Sequence, residues 1–268
     1  MSSFRNAVAL TSENDVQIAN VPEVWTNDGR AVFGGLLGAI GVRALDSIAP
    51  EGCPLRSLSI HHHGAVAPGP LSVNSTLLDQ SRLVASAEAH LTQSDRRCVT
   101  VSATYVRPRG RALEVPDRIP LPNSDPDDID LLPFVKEAMP VFAQLFEYKW
   151  TEGNLPFSGA AEAGFAGWCR HKTASDAGAA AVVALMDAWP PAVYPILDAP
   201  AQARTLSWTL HFTSTPEWAP SEWLYFRSHA TVAREGLATT TGTLQKADGS
   251  LLATMKQLIA VREPRKRR

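Results

Sequence analysis

Apolar and polar residues alternate along much of this chain in short runs closed by turn-forming residues, the pattern of half-buried antiparallel strands. In LSVNSTLL, Leu71, Val73, Ser75 and Leu77 share one face. In EWLYFRSHATV, Trp223, Tyr225, Arg227, His229 and Thr231 oppose Leu224, Phe226, Ser228 and Ala230. The dipeptide Asp248-Gly249 predicts a hairpin turn. Two segments break the alternation. GGLLGAIGVRALDSIAP and SDAGAAAVVALMDAWPP are rich in Gly and Ala and stop at Pro50 and at Pro190-Pro191. They predict helices whose small side chains allow close approach to another backbone, as burial against a curved sheet requires. Ser175 is the expected N-cap of the second helix, with Asp176 favouring its positive end. Gly34 and Gly35 open the first helix without a capping oxygen, so close backbone approach is their expected role.

These elements occur in the same order twice. Residues 33–108 give a helix, RSLSIHHHG, PLSVNSTLLD, RLVASAEAHLTQ and RRCVTVSATYVRP; residues 175–264 give a helix, ARTLSWTLHFTS, EWLYFRSHATVA, LATTTGTLQ and SLLATMKQLIAVREP. DVQIANVPEVW precedes the first helix, and FAQLFEYKW and FAGWCRHKT precede the second as expected strands. A repeat this long is a duplicated domain rather than a solenoid unit. The reading is residues 1–113 for the first domain, 114–138 for a linker and 139–268 for the second. The linker expectation rests on EVPDRIPLPNSDPDDID, whose prolines and aspartates disfavour helix and ladder alike. The predicted class is α+β: in each half an antiparallel sheet curls around one helix, and the sheets join edge to edge to remove an exposed strand edge.

Composition narrows the function. The net charge of -2 over 268 residues provides no basic field for nucleic acid or anionic lipid. The terminal Arg265-Lys266-Arg267-Arg268 reads as a solvated tail. Cys53, Cys98 and Cys169 have no CxxC pairing, which suggests reduced thiols in a cytoplasmic protein. No run has the length of a signal-peptide core or membrane span, so a soluble chain is expected. GxSxG, GxGxxG and GxxxxGK motifs are missing, against a serine hydrolase or a phosphate loop. In His61-His62-His63, alternation sends His61 and His63 to one face and His62 to the other, leaving too few ligands for a metal.

The string NDGRAVFGGLLGAIGVRAL, followed by LRSLSIHHHGAVAPGPLSVNSTLLDQSRLVASAEAHLTQSDRRCVTVSATY, resembles the first hotdog domain of acyl-CoA thioesterase II type double-hotdog proteins. ALMD, TLSWTLHF, EWLYFRSHA and KADGSLLATMKQ resemble the second. The resemblance implies hydrolysis of acyl-CoA thioesters by an activated water, with no metal and no cofactor beyond the CoA of the substrate. It also implies a homodimer or larger assembly. Residue by residue, Asp187 stands at the family's aspartate position, Thr205 at its hydroxyl position and Gln257 at its glutamine position. The chain departs from the family pattern at Ser207-Trp208, at Leu258-Ile259 and at the turn Gln80-Ser81-Arg82, which has no glycine. An acyl-CoA or lipid-binding module without catalysis, and an enoyl-CoA hydratase or dehydratase on the same fold, are the alternatives. The latter should show a closely spaced Asp and His where a strand enters a helix, and neither helix is preceded by such a pair.

The residues themselves are compatible with that chemistry. Asp187 falls late in a helix, where the dipole disfavours an ionised carboxylate and raises proton affinity. Gln257, among Leu258, Ile259 and Ala260, needs a polar partner if buried. The Gly34 and Gly35 backbone can donate to a substrate oxygen. Asp187 equally suits a solvated helix end, and Thr205 a simple strand former. Trp208, Trp218, Trp223 and Tyr225 could line an acyl pocket, although packing between sheet and linker explains them better. The matching positions of the first copy fall near Asp46, Ser57 and Val101.

Overall fold

A computed structural model describes residues 3–13, 16–110, 115, 118–121, 125–173, 178–213, 218–219 and 221–262. The first half contains α1 (Phe4–Ala7), β1 (Leu10–Glu13), β2 (Val16–Val21), α2 (Gly34–Asp46), β3 (Leu55–His62), β4 (Gly69–Gln80), β5 (Val84–Gln93) and β6 (Arg96–Val106). The second contains β7 (Phe146–Gly153), β8 (Gly164–His171), α3 (Ala179–Asp187), β9 (Gln202–Phe212), β10 (Leu224–Arg234), β11 (Leu237–Gln245) and β12 (Leu251–Arg262). All strands pair antiparallel in one 12-stranded sheet of order β1-β2-β4-β5-β6-β3-β9-β12-β11-β10-β8-β7. That order is a palindrome of the repeat. β3 and β9 meet at its centre, where Ser59 faces Thr209 with their hydroxyl oxygens 3.5 Å apart. The expected double hotdog, with two helices wrapped by a continuous antiparallel sheet, is the observed architecture.

The glycines of α2 are explained by what lies beside them. A Cβ on Gly38 would fall 2.6 Å from Ile60 Cδ1 and 2.9 Å from Val183 Cγ1, so this position joins α2 to both α3 and β3. One on Gly41 would fall 2.6 Å from Val101 Cγ2. Both helices are buried on nearly every side, Arg43 being the exposed exception in the middle of α2. The tight hairpins also follow local chemistry: Ser94 and Asp95 both take positive φ, 49° and 60°, in the turn between β5 and β6, and Gly249 takes 83°.

Three departures from the sequence reading are local. The segment Val141–Leu145 is a 3-10 helix instead of the start of a strand, and α1 and β1 have no counterpart in the alternation pattern. The Pro-rich segment is docked in part: Ile119 N–H donates to Gly249 O at 3.2 Å, and Gln245 Nε2 donates to Ile119 O at 2.8 Å. Its Leu121 and Ile129 cover Trp168 and Tyr225 on the outer sheet face. Trp223 lies beside them under the cations of Lys149 and Arg170, at 4.7 and 4.2 Å. Ser175 and Asp176 fall outside the described residues.

Candidate active site

The inner face of the second half is the floor of a cavity of about 1030 Å³ that opens between α2, the end of α3 and the segment 132–143. Asp187 is the last residue of α3 and projects into it. Gln257 comes from β12, and its Nε2 donates to Asp187 Oδ1 at 2.8 Å and to Thr205 Oγ1 at 3.2 Å. Thus three residues 18 to 70 positions apart in sequence form one hydrogen-bonded cluster on the cavity wall. Gln257 is buried, and Oε1 has no partner among the described residues, so its acceptor is available to a molecule in the cavity.

Thr205 reaches this cluster because β9 is irregular. Trp208 and Leu210 point into the core, so strict alternation would send Thr205 outward with Ser207 and Thr209. The pairing slips between Leu258 and Ile259: Leu258 opposes Ser207 while Ile259 opposes Thr205. This β-bulge at Leu206 reverses the parity and turns Thr205 inward.

Asp187 is held at a proton affinity suited to transfer near neutral pH. Burial raises its pKa from 3.8 to about 7, against the opposing effects of the Gln257 amide and the Gly35 backbone N–H. Gly35 belongs to the first turn of α2, so the carboxylate sits at the positive end of a helix from the other half. No side chain larger than hydrogen fits there: a Cβ on Gly35 would lie 2.9 Å from Asp187 Cβ and 2.5 Å from Phe33 Cζ. The close approach expected at Gly34 and Gly35 is therefore made to Asp187. The Gly35 N–H is engaged by the carboxylate, and Gly34 forms the adjoining cavity wall.

His62 completes the cluster, the one of the three consecutive histidines that the fold sets beside Asp187. The position at which Gly34 would carry a Cβ is 3.0 Å from Asp187 Oδ2 and 3.5 Å from His62 Nε2, so both side chains press on the same point. That Nε2 is buried with no hydrogen-bond partner among the described residues, and burial lowers the ring's pKa to about 4, leaving a neutral imidazole. The available signal was the alternation that separates His62 from His61 and His63; both neighbours are exposed, and His63 Nε2 pairs with Thr100 Oγ1 at 3.0 Å. Among the described residues no group of three or more His, Cys, Asp or Glu is placed to hold a metal ion. None of the described helices is long and apolar enough to cross a membrane.

The rest of the cavity is largely apolar, with Trp150, Trp189, Phe226 and Met186 among its walls. Trp150, Phe165, Trp189 and Phe226 form an aromatic cluster with centroid separations of 4.9 to 6.3 Å. Trp208 and Trp218 instead belong to the main core, where Trp208 Nε1 donates to Met255 Sδ at 3.2 Å.

In this double hotdog the carboxylate that ends α3 is bonded to the Gln257 amide, which also bonds the Thr205 hydroxyl. The family model of the acyl-CoA thioesterase N-terminal domain matches residues 21–106, and that of the acyl-CoA thioesterase C-terminal domain matches residues 116–261. The chain belongs to the acyl-CoA thioesterase family. Its structure is similar to that of a hot dog protein of unknown function from Alicyclobacillus acidocaldarius, with 23% identity, a TM-score of 0.87 and coverage of 97% of this chain and 98% of that one. The acyl-CoA thioesterase II TesB2 of Mycobacterium marinum matches at 16% identity and a TM-score of 0.78, over 98% of this chain and 99% of that one. The dehydratase domain of PpsC from Mycobacterium tuberculosis shares the fold at 12% identity and a TM-score of 0.56, over 96% and 97%. No curated protein matches the chain by sequence.

Proposed function

We propose that this protein hydrolyses acyl-CoA thioesters to free CoA and a carboxylic acid, using water activated at Asp187. The carrying observation is the convergence of Asp187, Thr205 and Gln257 on one wall of the cavity. The ionised carboxylate takes a proton from water as its oxygen attacks the thioester carbonyl carbon. Thr205 and the Gln257 oxygen orient that water. Neutral His62 donates from Nε2 to the carbonyl oxygen, assisted by the Gly34 N–H, and stabilises the negative charge that develops there. Collapse of the tetrahedral intermediate breaks the carbon–sulfur bond, and Asp187 returns its proton to the departing thiolate. The apolar cavity holds the acyl chain.

Placement of His62 and Asp187 on one cavity wall also supports a second reading, addition of water across a 2-enoyl thioester, which the same acid and base could perform. A water held by Gln257 and Thr205 would serve either reaction, and membership of the acyl-CoA thioesterase family favours hydrolysis. Thiol release from a series of acyl-CoA chain lengths, with loss of enoyl absorbance followed in parallel, separates the two. Release by the native protein and its loss in Asp187→Asn is the expected result. Equal rates in both proteins would remove Asp187 from the mechanism, and tight binding without turnover would identify a binding module.

A further inference from the structure

The cavity also carries polar groups outside the hydrolytic cluster, Thr240 among them. Thr240 lies on β11 directly opposite Gln257 of β12, is 1% exposed, and lines the cavity. Its Oγ1 is buried with no hydrogen-bond partner among the described residues. Ser228, diagonally across on β10, also lines the cavity, and its hydroxyl proton is committed to Thr241 O at 3.1 Å, leaving its oxygen as an acceptor. Farther along the same wall the lining becomes aromatic at Phe226 and Trp189.

The repeat provides an internal control. The pairing Leu55 with Tyr105 in the first half corresponds to Thr205 with Ile259 in the second, so Gln257 corresponds to Ala103. Ala103 pairs with Ala87, which therefore occupies the place of Thr240. Ala87 is 1% exposed, so a methyl group satisfies the fold at this position. The hydroxyl is an addition of the half that carries the cavity, and no bond among the described residues accounts for it.

Thr240 Oγ1 is already shut off from solvent and unpaired among the described residues, and an unsubstituted alkyl chain drawn past Gln257 leaves it so, at the cost of a buried, unsatisfied hydroxyl. A substrate oxygen at that depth would remove the cost. Adjacent antiparallel residues stand only about 5 Å apart, so the hydroxyl meets the acyl chain within a few carbons of the reacting carbonyl.

Building on the hydrolase reading above, we infer that Thr240 selects acyl thioesters carrying a hydroxyl or keto oxygen near the thioester carbonyl, with Ser228 as a second acceptor. A hydroxyl can both donate and accept, so Thr240 Oγ1 suits either oxygen.

The test compares octanoyl-CoA with 3-hydroxyoctanoyl-CoA in the native protein, Thr240→Val and Thr240→Ser. The expected native preference for the hydroxylated thioester in kcat/KM is about tenfold, the size of one hydrogen bond to a buried group. It falls to near unity in Thr240→Val and survives in Thr240→Ser. If Thr240→Val does not fold, Thr240→Ala replaces it, since alanine is accommodated at the equivalent Ala87. The same selectivity with and without the hydroxyl overturns the assignment while octanoyl-CoA turnover leaves the hydrolase reading standing. If neither thioester releases thiol, the hydrolase reading fails by itself and calorimetric Kd values decide the assignment. Tighter binding of the hydroxylated thioester, lost in Thr240→Val, sustains it, and equal Kd values overturn it.

Discussion

Asp46 and Asp187 end the central helices of the two halves, yet only Asp187 faces the cavity. Asp46 lies at the surface and accepts a hydrogen bond from Tyr105 Oη at 3.0 Å, and partial burial of its carboxyl raises its pKa as well. Asp187 is bonded to the Gln257 amide and to the Gly35 backbone, and burial raises its pKa to about 7. The counterparts of Thr205 and Gln257 are Leu55 and Ala103, both buried and apolar. These replace the first-copy positions near Ser57 and Val101 that the sequence suggested. His62 inverts the relation. It lies in the first half, and its counterpart beside the central Ser59 and Thr209 pair is Phe212, which is also buried. Duplication thus produced two equivalent places, and the side chains filled one with packing and the other with polar groups drawn from both halves. The site is composite, so neither half would carry it alone.

The sharpest test of this contrast is paired substitution of the two aspartates. Asp187→Asn is expected to lower kcat for thioester hydrolysis by about 10²–10⁴, the usual contribution of a positioned base, whereas Asp46→Asn changes it less than about twofold. Comparable losses in the two variants, measured as thiol release, would erase the functional asymmetry. The next effect is in pH. Because only ionised Asp187 accepts a proton and its pKa stands near 7, kcat/KM should rise about tenfold per pH unit below that value and level off above it. His62, with its pKa near 4, stays neutral throughout that range and adds no second limb. A flat profile between pH 5 and about 7 would place the proton elsewhere.

Two glycines of α2 divide chemistry from packing. Gly35→Ala drives a methyl against Phe33 and Asp187 and should cut kcat about tenfold or more by displacing the carboxylate. Gly41→Ala strikes Val101 in the first half and should instead cost about 1–3 kcal/mol of stability with kcat retained. Denaturant melts alongside thiol-release rates distinguish these outcomes.

A further expected effect is a stability change with the opposite sign to most site mutations. The folded protein binds a proton at Asp187 more tightly than the unfolded chain does, so in the window from 3.8 to about 7 its stability falls as pH rises. Replacing Asp187 by Asn, which can still accept from Gln257, should therefore stabilise the fold at pH 8 by on the order of 2–4 kcal/mol and confer little at pH 4. Equal melts of the two proteins at both pH values would contradict the burial argument.

Much of this architecture is written locally. A period of two in LSVNSTLL and EWLYFRSHATV makes β4 and β10, small residues and terminal prolines delimit α2 and α3, and Asp248-Gly249 turns the last hairpin. The polar set is legible only through the family resemblance, which points to Asp187, Thr205 and Gln257, and the fold brings them together. His62 was hidden because a histidine in a run of three has no distinctive local pattern until its face is known. Thr240 was hidden for a similar reason, since threonine is an ordinary strand residue and only enclosure makes an unpaired hydroxyl significant.

By itself the sequence determined the elements, their duplication and the chemical types available, because helix and strand periods and turn preferences act over a few residues. Tertiary structure decided which of two equivalent aspartates faces the cavity, which half lends it a helix N-terminus, and that a bulge turns Thr205 inward. Those outcomes depend on how two curved sheets join at β3 and β9 and how closely α2 meets α3. Such long-range packing sets the desolvation and hydrogen bonds of each side chain, and no local pattern contains it.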